Sequence, residues 1–600
     1  MFRLLKRTVL ILTGLGGGSL YAQDAVPPGP SGAIEVEVRR ASTRLALADA
    51  TVRLEGTLSI SVTDAAGRAV LRNIAPGIYA LRVTAIGFRP FAVSDVVVSS
   101  GKTHTVSVEL WPSPIEVEEL STATYFQPAP DATGRTDVFG AEEARRAPGV
   151  QEDVVRAVAL FPGVAVTTAG RNDLVVRGGA PFENLFLIDN IEVPNINHFG
   201  SQGSTGGPLS LINIDFVRSV SFSSGGFGAQ YGDRTSAVTN ISLRDGSRER
   251  VSGELNLSAT GFGLIGEGPL GRSGSFLLSA RRSYLDLIFK AAGFSFVPAY
   301  WDFQLKATRQ VGQNGTLSFL TIGALNDISF INDDAEDRFD NSRILAPEQR
   351  QYFSGLTYQQ AFAQGYLALT LGRTFTRFRT VQRDSLDPPQ VVFRSFSTEG
   401  ENSLRADLLL ELTPHLTMAF GNVAKYASAL DYDIILPGEW RRDDVGAPRP
   451  LRVDTSFTAF RNATYAQGTW RQNRWTVTAG LRADYYDFLR GSFRLAERMG
   501  VAYRVGRNSE LRVNRGRYYQ APSYIWLLGD PQNIETLEPI HATHTGLGFE
   551  QLLRPDLRFQ IEGYHKTYRD YPARIFRPQA VLAPSGFEDV TNDIPFGLEP

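Results

Sequence analysis

The chain lacks several things, and each absence removes a class of function. None of its 600 residues is cysteine, so disulfides, thiolate metal sites and cysteine nucleophiles are excluded. Charge of either sign is not in excess. The 61 basic and 63 acidic residues leave a net −2, where a nucleic-acid binder would carry a basic surplus. Beyond the first 20 residues there is no run of 18 consecutive apolar residues. A membrane could then be crossed only by a closed β-barrel, whose strands satisfy one another's backbone groups. H-E-x-x-H and G-x-S-x-G are both missing, so an envelope hydrolase has no motif to stand on.

What is present is rich in turns. Glycine reaches 57 residues and aromatics 11%, a balance that favours β structure over helix bundles. Met1–Arg7 is basic, residues 8–20 are apolar and small, and Tyr21-Ala22-Gln23-Asp24 turns polar. That order is a secretory signal peptide, residues 1–22, with the cut expected after Ala22. Its apolar part is too short for a membrane anchor, so the protein is expected to leave the cytoplasm. Residues 24–31 (DAVPPGPS) form a Pro-rich linker.

Residues 32–113 then show short alternating runs at 33–38, 51–56, 58–63, 78–88, 91–99 and 103–110. Turn signals at Asp64–Gly67, Pro76-Gly77 and Ser100–Lys102 separate them, which predicts a small β-sandwich. Val98-Ser-Ser-Gly-Lys-Thr103 ends like a phosphate-binding loop. Its first glycine position holds Val96, and no helix follows, so it reads as a hairpin turn. The stretch DAAGRAVLRNIAPGIYALRVTAIGF resembles the carboxypeptidase regulatory-like domain, a seven-stranded sandwich. That domain is an appendage. A zinc carboxypeptidase would need an H-x-x-E pair, and none of the six histidines has one.

Residues 114–140 read as a linker, extended at first and then bounded by prolines. Gln151–Phe161 (QEDVVRAVALF) fits a short helix, with Glu152 and Asp153 at its positive end and Pro162-Gly163 stopping it. The stretch 174–200, LVVRGGAPFENLFLIDNIEVPNINHFG, alternates apolar and polar residues. Pro181 and Pro194 argue against a central strand.

The series APGVQEDVVRAVALFPGV, LVVRGGAPFENLFLIDNIEVPNINHFG, GGPLSLIN, VRSVSFSSGGFGAQYGD and SAVTNISLRDG resembles the plug domain of TonB-dependent outer-membrane receptors, in order, over about 100 residues. The resemblance assigns residues 141–246 to a plug. Its motif positions are Arg177, Gly178, Gly179, Glu183, Asn184, Asp189, Gly226, Tyr231 and Gly232. Arg177 and Asp189 are expected to pair with barrel-wall charges or with each other. A lone Arg-Gly-Gly inside alternating strands is no RNA-binding segment.

Residues 247–600 then read as barrel. Trp475, Val477, Ala479, Leu481 and Ala483 alternate with Thr476, Thr478, Gly480, Arg482 and Asp484. Similar alternation runs through 251–260, 404–412 and 557–562, giving one face for lipid and one for a wet lumen. The inserts 332–342 and 439–450 read as surface loops, the first acidic but without the glycine of an EF-hand. His541 and His544 should face opposite sides of a strand, which argues against a shared metal. Arg517–Pro522 (RYYQAP) resembles a barrel-strand signature of these receptors.

The fold expected is mainly β: an N-terminal sandwich, an α+β plug, then a transmembrane antiparallel barrel, 22-stranded by family. About 14–16 strands can be counted, and the closing TNDIPFGLEP reads as mid-loop, so the barrel is expected to be partial. The resemblance implies a receptor and energised importer, without cofactor, metal or enzymatic activity. Its partners would be TonB with the inner-membrane energising complex, outer-membrane lipid, and an imported siderophore, cobalamin, glycan or peptide. A non-transporting receptor for ligand binding or signalling is the alternative. The candidate TonB box is Ile115–Thr124, centred on Ile115, Glu116, Val117, Glu118, Glu119 and Leu120, with a box nearer the mature N-terminus as the alternative, and would pair with TonB by strand addition. The sandwich would lie in the periplasm.

Overall fold

The computed structural model describes residues 31–112 and 133–572, apart from 168–170, 204, 259–260, 343, 345–347, 437–446, 448–449, 507, 529–532 and 555. The signal peptide and the candidate box Ile115–Leu120 lie outside the described residues, as does most of the 439–450 insert.

Seven strands form the N-terminal sandwich: β1 (Gly32–Arg40), β2 (Thr51–Leu54), β3 (Ile60–Val62), β4 (Arg68–Ile74), β5 (Gly77–Thr84), β6 (Phe91–Val98) and β7 (Thr103–Leu110). They make two sheets, ordered β4-β1-β7 and β3-β2-β5-β6. Alternation puts Ile34, Val36, Val38, Val52, Leu54, Leu81, Val83, Val106 and Val108 between the sheets. Burying each such side chain contributes about 1.5–3 kcal/mol. The sequence reading missed β4, because its RAVLRNI runs straight on from the Asp64–Gly67 turn. The Ser-Gly-Lys turn is not a hairpin, since it carries the chain from β6 in one sheet to β7 in the other.

The plug follows, with β8 (Thr136–Phe139), β9 (Val164–Val166), β10 (Leu174–Val176), β11 (Asn184–Ile188), β12 (Ile191–Val193), β13 (Asn197–His198), β14 (Leu209–Ser210), β15 (Val217–Ser223) and β16 (Ala237–Leu243). Five of them form one sheet, ordered β12-β11-β16-β15-β8. β11 runs parallel to β16 and antiparallel to β12. It is therefore a central strand, contrary to the reading from its prolines. Pro181 opens a 3-10 turn before β11 and Pro194 follows β12, so the prolines bracket the hairpin and take no ladder bond from it. All five residues of β11 are buried.

The expected helix at 151–161 is shorter, Val154–Val158. Asp153 is its N-cap, with Oδ1 accepting from Val155 N at 2.8 Å, while Gln151 and Glu152 take positive φ outside it. A second helix, Ala141–Arg146, had no counterpart in the sequence reading. Glu142 and Glu143 in its first turn and Arg145 and Arg146 in its last complement its dipole.

Fifteen antiparallel strands, from Ser252–Leu257 to Leu557–Arg569, form one sheet in chain order, within the range counted from the sequence. The first and last strands are its edges and do not pair with each other among the described residues. In the strand Trp475–Tyr486, Trp475, Ala479, Leu481 and Tyr485 are exposed while Thr478, Arg482 and Asp484 are buried. The apolar face is thus outside and the polar face inside, the reverse of a soluble barrel. Short turns such as 312–314, 363–364, 414–415 and 473–474 gather at one mouth. Long connections gather at the other and carry the helices Leu285–Ala292, Ala335–Ser342 and Tyr524–Leu527. The acidic insert read as a loop is mostly the helix Ala335–Ser342, capped where Asp334 Oδ1 accepts from Asp337 N at 2.8 Å.

Candidate functional site

The plug stands in the barrel lumen, and its motif residues are the fittings that hold it there. After β10, Arg177 and Gly178 take φ of 50° and 79°, and Gly179 N returns a bond to Val176 O at 2.9 Å. A Cβ on Gly179 would overlap Ser236, so the Gly-Gly pair is required by turn and by close approach. The turn aims Arg177 at the wall, where its guanidinium donates to Glu562 at 2.6 Å and lies 4.7 Å from the Tyr564 ring centre. Asp189 and Asn190 form the two-residue β11–β12 turn, both at positive φ. Asp189 caps Leu243 N at 2.9 Å and pairs with Lys306 of the wall at 2.9 Å. Arg177 and Asp189 thus each take a wall partner and do not meet.

Glu183 and Asn184 are internal staples. Glu183 accepts from Ala180 N at 2.8 Å, Thr235 at 2.8 Å and Tyr571 of the barrel at 3.0 Å. Asn184 donates to Leu174 O at 2.7 Å. Gly226 lets the chain pass Asn514, which a Cβ would approach to 2.8 Å. At Gly232 a Cβ would overlap the Arg482 guanidinium. Tyr231 contributes its carbonyl, which accepts from Arg498 at 2.6 Å.

The sequence reading missed most of the wall side of this interface. Arg498 also donates to the carbonyls of Phe227, at 3.3 Å, and Gly228. Gln467 accepts from Ala229 N at 2.8 Å, and Gln520 donates to Phe182 O at 3.0 Å. Asp233, at positive φ, accepts from Ala521 N at 2.8 Å and Arg461 at 2.5 Å. Glu192 of β12 pairs with Lys425. Burial opposes ionisation of Glu192, but the Lys425 ammonium outweighs it and holds the carboxyl down to about 2. The inward alternation of Arg482 and Asp484 was the available signal. It marked a wet face without saying which plug atoms that face would hold. RYYQAP belongs to this wall as well, for Tyr518 packs on Phe227 and Gln520 reaches Phe182. His544 faces inward and donates from Nε2 to Thr235 O at 2.8 Å, while His541 stacks on Tyr519 on the other side.

Each mouth is closed differently. At the long-loop mouth, helix Tyr524–Leu527 folds inward onto the plug. Trp526 meets Phe182 edge-on at 4.6 Å, and Ser523 donates to Gly203 O at 3.0 Å. Ala180, Phe393, Leu430, Tyr432, Ile434 and Ile525 complete that buried cluster. At the short-turn mouth the sandwich lies against barrel and plug through charges. Arg40 donates to both Glu411 oxygens at 2.7 and 2.8 Å, and Arg44 donates to Gln359 at 2.9 Å. A cavity of about 670 Å³ remains between sandwich, plug and the first barrel strands. His104 lines it, and burial, with the Arg244 guanidinium second, pushes its imidazole down to about 4.

A barrel with an apolar outer face, holding a separately folded plug by hydrogen bonds, ion pairs and an apolar seam, has the architecture of a plugged outer-membrane receptor. Three family models match this chain: Carboxypeptidase regulatory-like domain over 33–110, TonB-dependent Receptor Plug Domain over 128–239, and TonB dependent receptor-like, beta-barrel over 292–585. The chain belongs to the TonB-dependent receptor family, with an N-terminal carboxypeptidase regulatory-like domain. It is 29% identical over 257 residues to the TonB-dependent transporter Oar of Myxococcus xanthus, an alignment covering 41% of this chain and 23% of Oar. Among solved structures, a mutant ferric enterobactin receptor (PfeA) of Pseudomonas aeruginosa is similar at TM-score 0.57 and 15% identity, with 76% of each chain covered. The siderophore receptor PirA of Acinetobacter baumannii is similar at TM-score 0.56 and 16% identity, covering 73% of this chain and 71% of that one. The family is one of receptors and transporters located in the outer membrane and partnered by TonB.

Proposed function

We propose that this chain takes up a ligand at the long-loop mouth and imports it when TonB pulls on the segment between sandwich and plug. The observation that carries the reading is the nature of the plug–wall contacts. Around Arg177, Glu192, Asp233 and the Phe227–Tyr231 carbonyls they are charges and hydrogen bonds, which water can take over when the plug shifts. The apolar seam of Ile265, Leu277, Leu320, Ile322, Ala324 and Phe353 against the plug core resists displacement more strongly and would hold that side in place. Short turns in such barrels face the periplasm, which supports placing the sandwich there, after export by the signal peptide. Residues 115–124 are the TonB-contacting segment in this reading, well placed between two folded units. The ligand belongs to the classes the family serves: a siderophore complex, cobalamin, a glycan or a peptide.

The chain has no native cysteine, so Val117→Cys gives a single reporter. It is expected to cross-link to a cysteine introduced in the strand-pairing segment of periplasmic TonB. Deleting 115–124 should abolish energised uptake and leave surface binding intact. Uptake unchanged by the deletion would remove this segment from the mechanism.

A further inference from the structure

We infer that the sandwich is a latched cap on the short-turn mouth, and that it must lift before the plug can leave by that route. The contacts are distributed around the mouth. Arg40 and Ser42 both bond Glu411, at 2.7 and 2.6 Å. Arg44 donates to Gln359 at 2.9 Å and lies 4.6 Å from the Tyr366 ring centre. Lys102 pairs with Glu254, Arg72 with Glu249 at 2.9 Å, and Glu37 with Arg248. Asp95 pairs with Arg146 of the plug at 2.6 Å. The cap therefore grips the barrel, the plug and the chain between them.

The chemistry of these contacts suits a latch. Most of the pairs are ionic and lie within reach of water, so each contributes little alone and the network is weakened by salt. Opening hands most of these groups back to water. Ser42 and Thr43, in the loop after β1, are 3% and 0% exposed. A polar loop this buried, flanked by residues bonded to the barrel, fits one seated in the mouth.

The latch also lies beside the point of load. β7 ends at Leu110, and the register places Leu110 next to Arg40 of β1. A pull on residues following Pro112 is applied to the end of β7, one strand from the Arg40–Glu411 clasp. On the reading of 115–124 as the TonB-contacting segment, on which this inference rests, the same pull that loads the plug also unlatches the cap.

Thr43→Cys in the full chain reports the cap, read as the rate of maleimide labelling. In the resting protein it should label slowly. Glu411→Arg should speed it about tenfold, because reversal adds repulsion to the lost pairs, and Arg40→Glu with Glu411→Arg should slow it again. That rescue separates an opened latch from a misfolded variant. In cells, labelling should be faster with the proton gradient intact than after an uncoupler, and deletion of 115–124 should remove the difference. Fast labelling in the resting parent, or a rate indifferent to Glu411→Arg, overturns the cap. A gradient without effect, in cells where Val117→Cys still cross-links TonB, overturns the unlatching and leaves the import reading standing.

Discussion

The two mouths of this barrel are shut by opposite kinds of contact. At the long-loop mouth the plug apex is covered by side chains that avoid water: Phe182 under Trp526, with Ile525, Tyr432 and Phe393 around them. At the short-turn mouth the cover is a whole domain held by pairs such as Arg40–Glu411 and Arg72–Glu249. Apolar contact is insensitive to salt and is replaced only by something equally apolar or shape-matched. Ionic contact yields to salt, acid or a modest pull. On the proposed import reading, the long-loop closure would answer to a ligand that substitutes for its aromatic residues, and the short-turn closure to force.

The comparison can be broken at either end. The largest effect is expected from Trp526→Ala, since Trp526 is 2% exposed and its loss leaves a cavity worth about 3–5 kcal/mol. Urea unfolding should show that loss equally at low and high salt. A salt-dependent loss would mean the aromatic mouth is held by something else. Next comes Lys425→Met, midway between the mouths. It strands the buried Glu192 carboxylate, held down to about 2 by that ammonium, and should cost about 3 kcal/mol. Lys425→Met combined with Glu192→Leu should recover most of it, and failure to do so would place the cost in packing.

Glu411→Gln is weaker, about 1 kcal/mol at low salt, and should vanish near 1 M salt, where the Debye length is about 3 Å. Native-state proteolysis of the sandwich linker reads it. Acid acts on the same mouth, with the Glu35 carboxyl offsetting part of its effect. The His104 imidazole is pushed from its usual 6.5 down to about 4 where the sandwich meets the plug. Docking therefore favours the neutral ring. The contribution is whole above about 6.5 and is lost as pH falls toward 4. Glu35, raised by burial and then by Glu37, works against it by gaining a proton as pH falls. His104→Gln should flatten the acid dependence of labelling at Thr43→Cys. An unchanged slope would assign it to the carboxylates.

Much of this was legible in one sequence, for identifiable reasons. Strand alternation is local, so the two faces of Trp475–Tyr486 could be read directly. The glycines at 178, 179, 226 and 232 announced positive φ and close backbone approach: Gly178 takes φ 79° with open space beside it, while Gly179, Gly226 and Gly232 make room for Ser236, Asn514 and Arg482. The prolines at 181 and 194 misled, because a proline beside a strand and a proline within it look alike until pairing is known. The wall residues were the larger miss. Arg498 serves carbonyls about 270 positions earlier in the chain, and its neighbours in sequence carry no trace of that. Trp526 was missed for the same reason, lying in a connection whose inward fold depends on the plug it covers. The seating of the sandwich in the mouth had no signal, since Arg40 and Glu411 are ordinary charges until 371 positions of chain bring them together.

The measurement that bears most directly on the account is a salt titration of two single-cysteine reporters in the full chain, Thr43→Cys at the short-turn mouth and Ser201→Cys at the buried plug apex. Between about 50 mM and 1 M salt, labelling of Thr43→Cys should accelerate severalfold while Ser201→Cys stays constant. Equal response of the two, or acceleration at the apex alone, would contradict the assignment of an ionic closure at the short-turn mouth and an apolar one at the long-loop mouth.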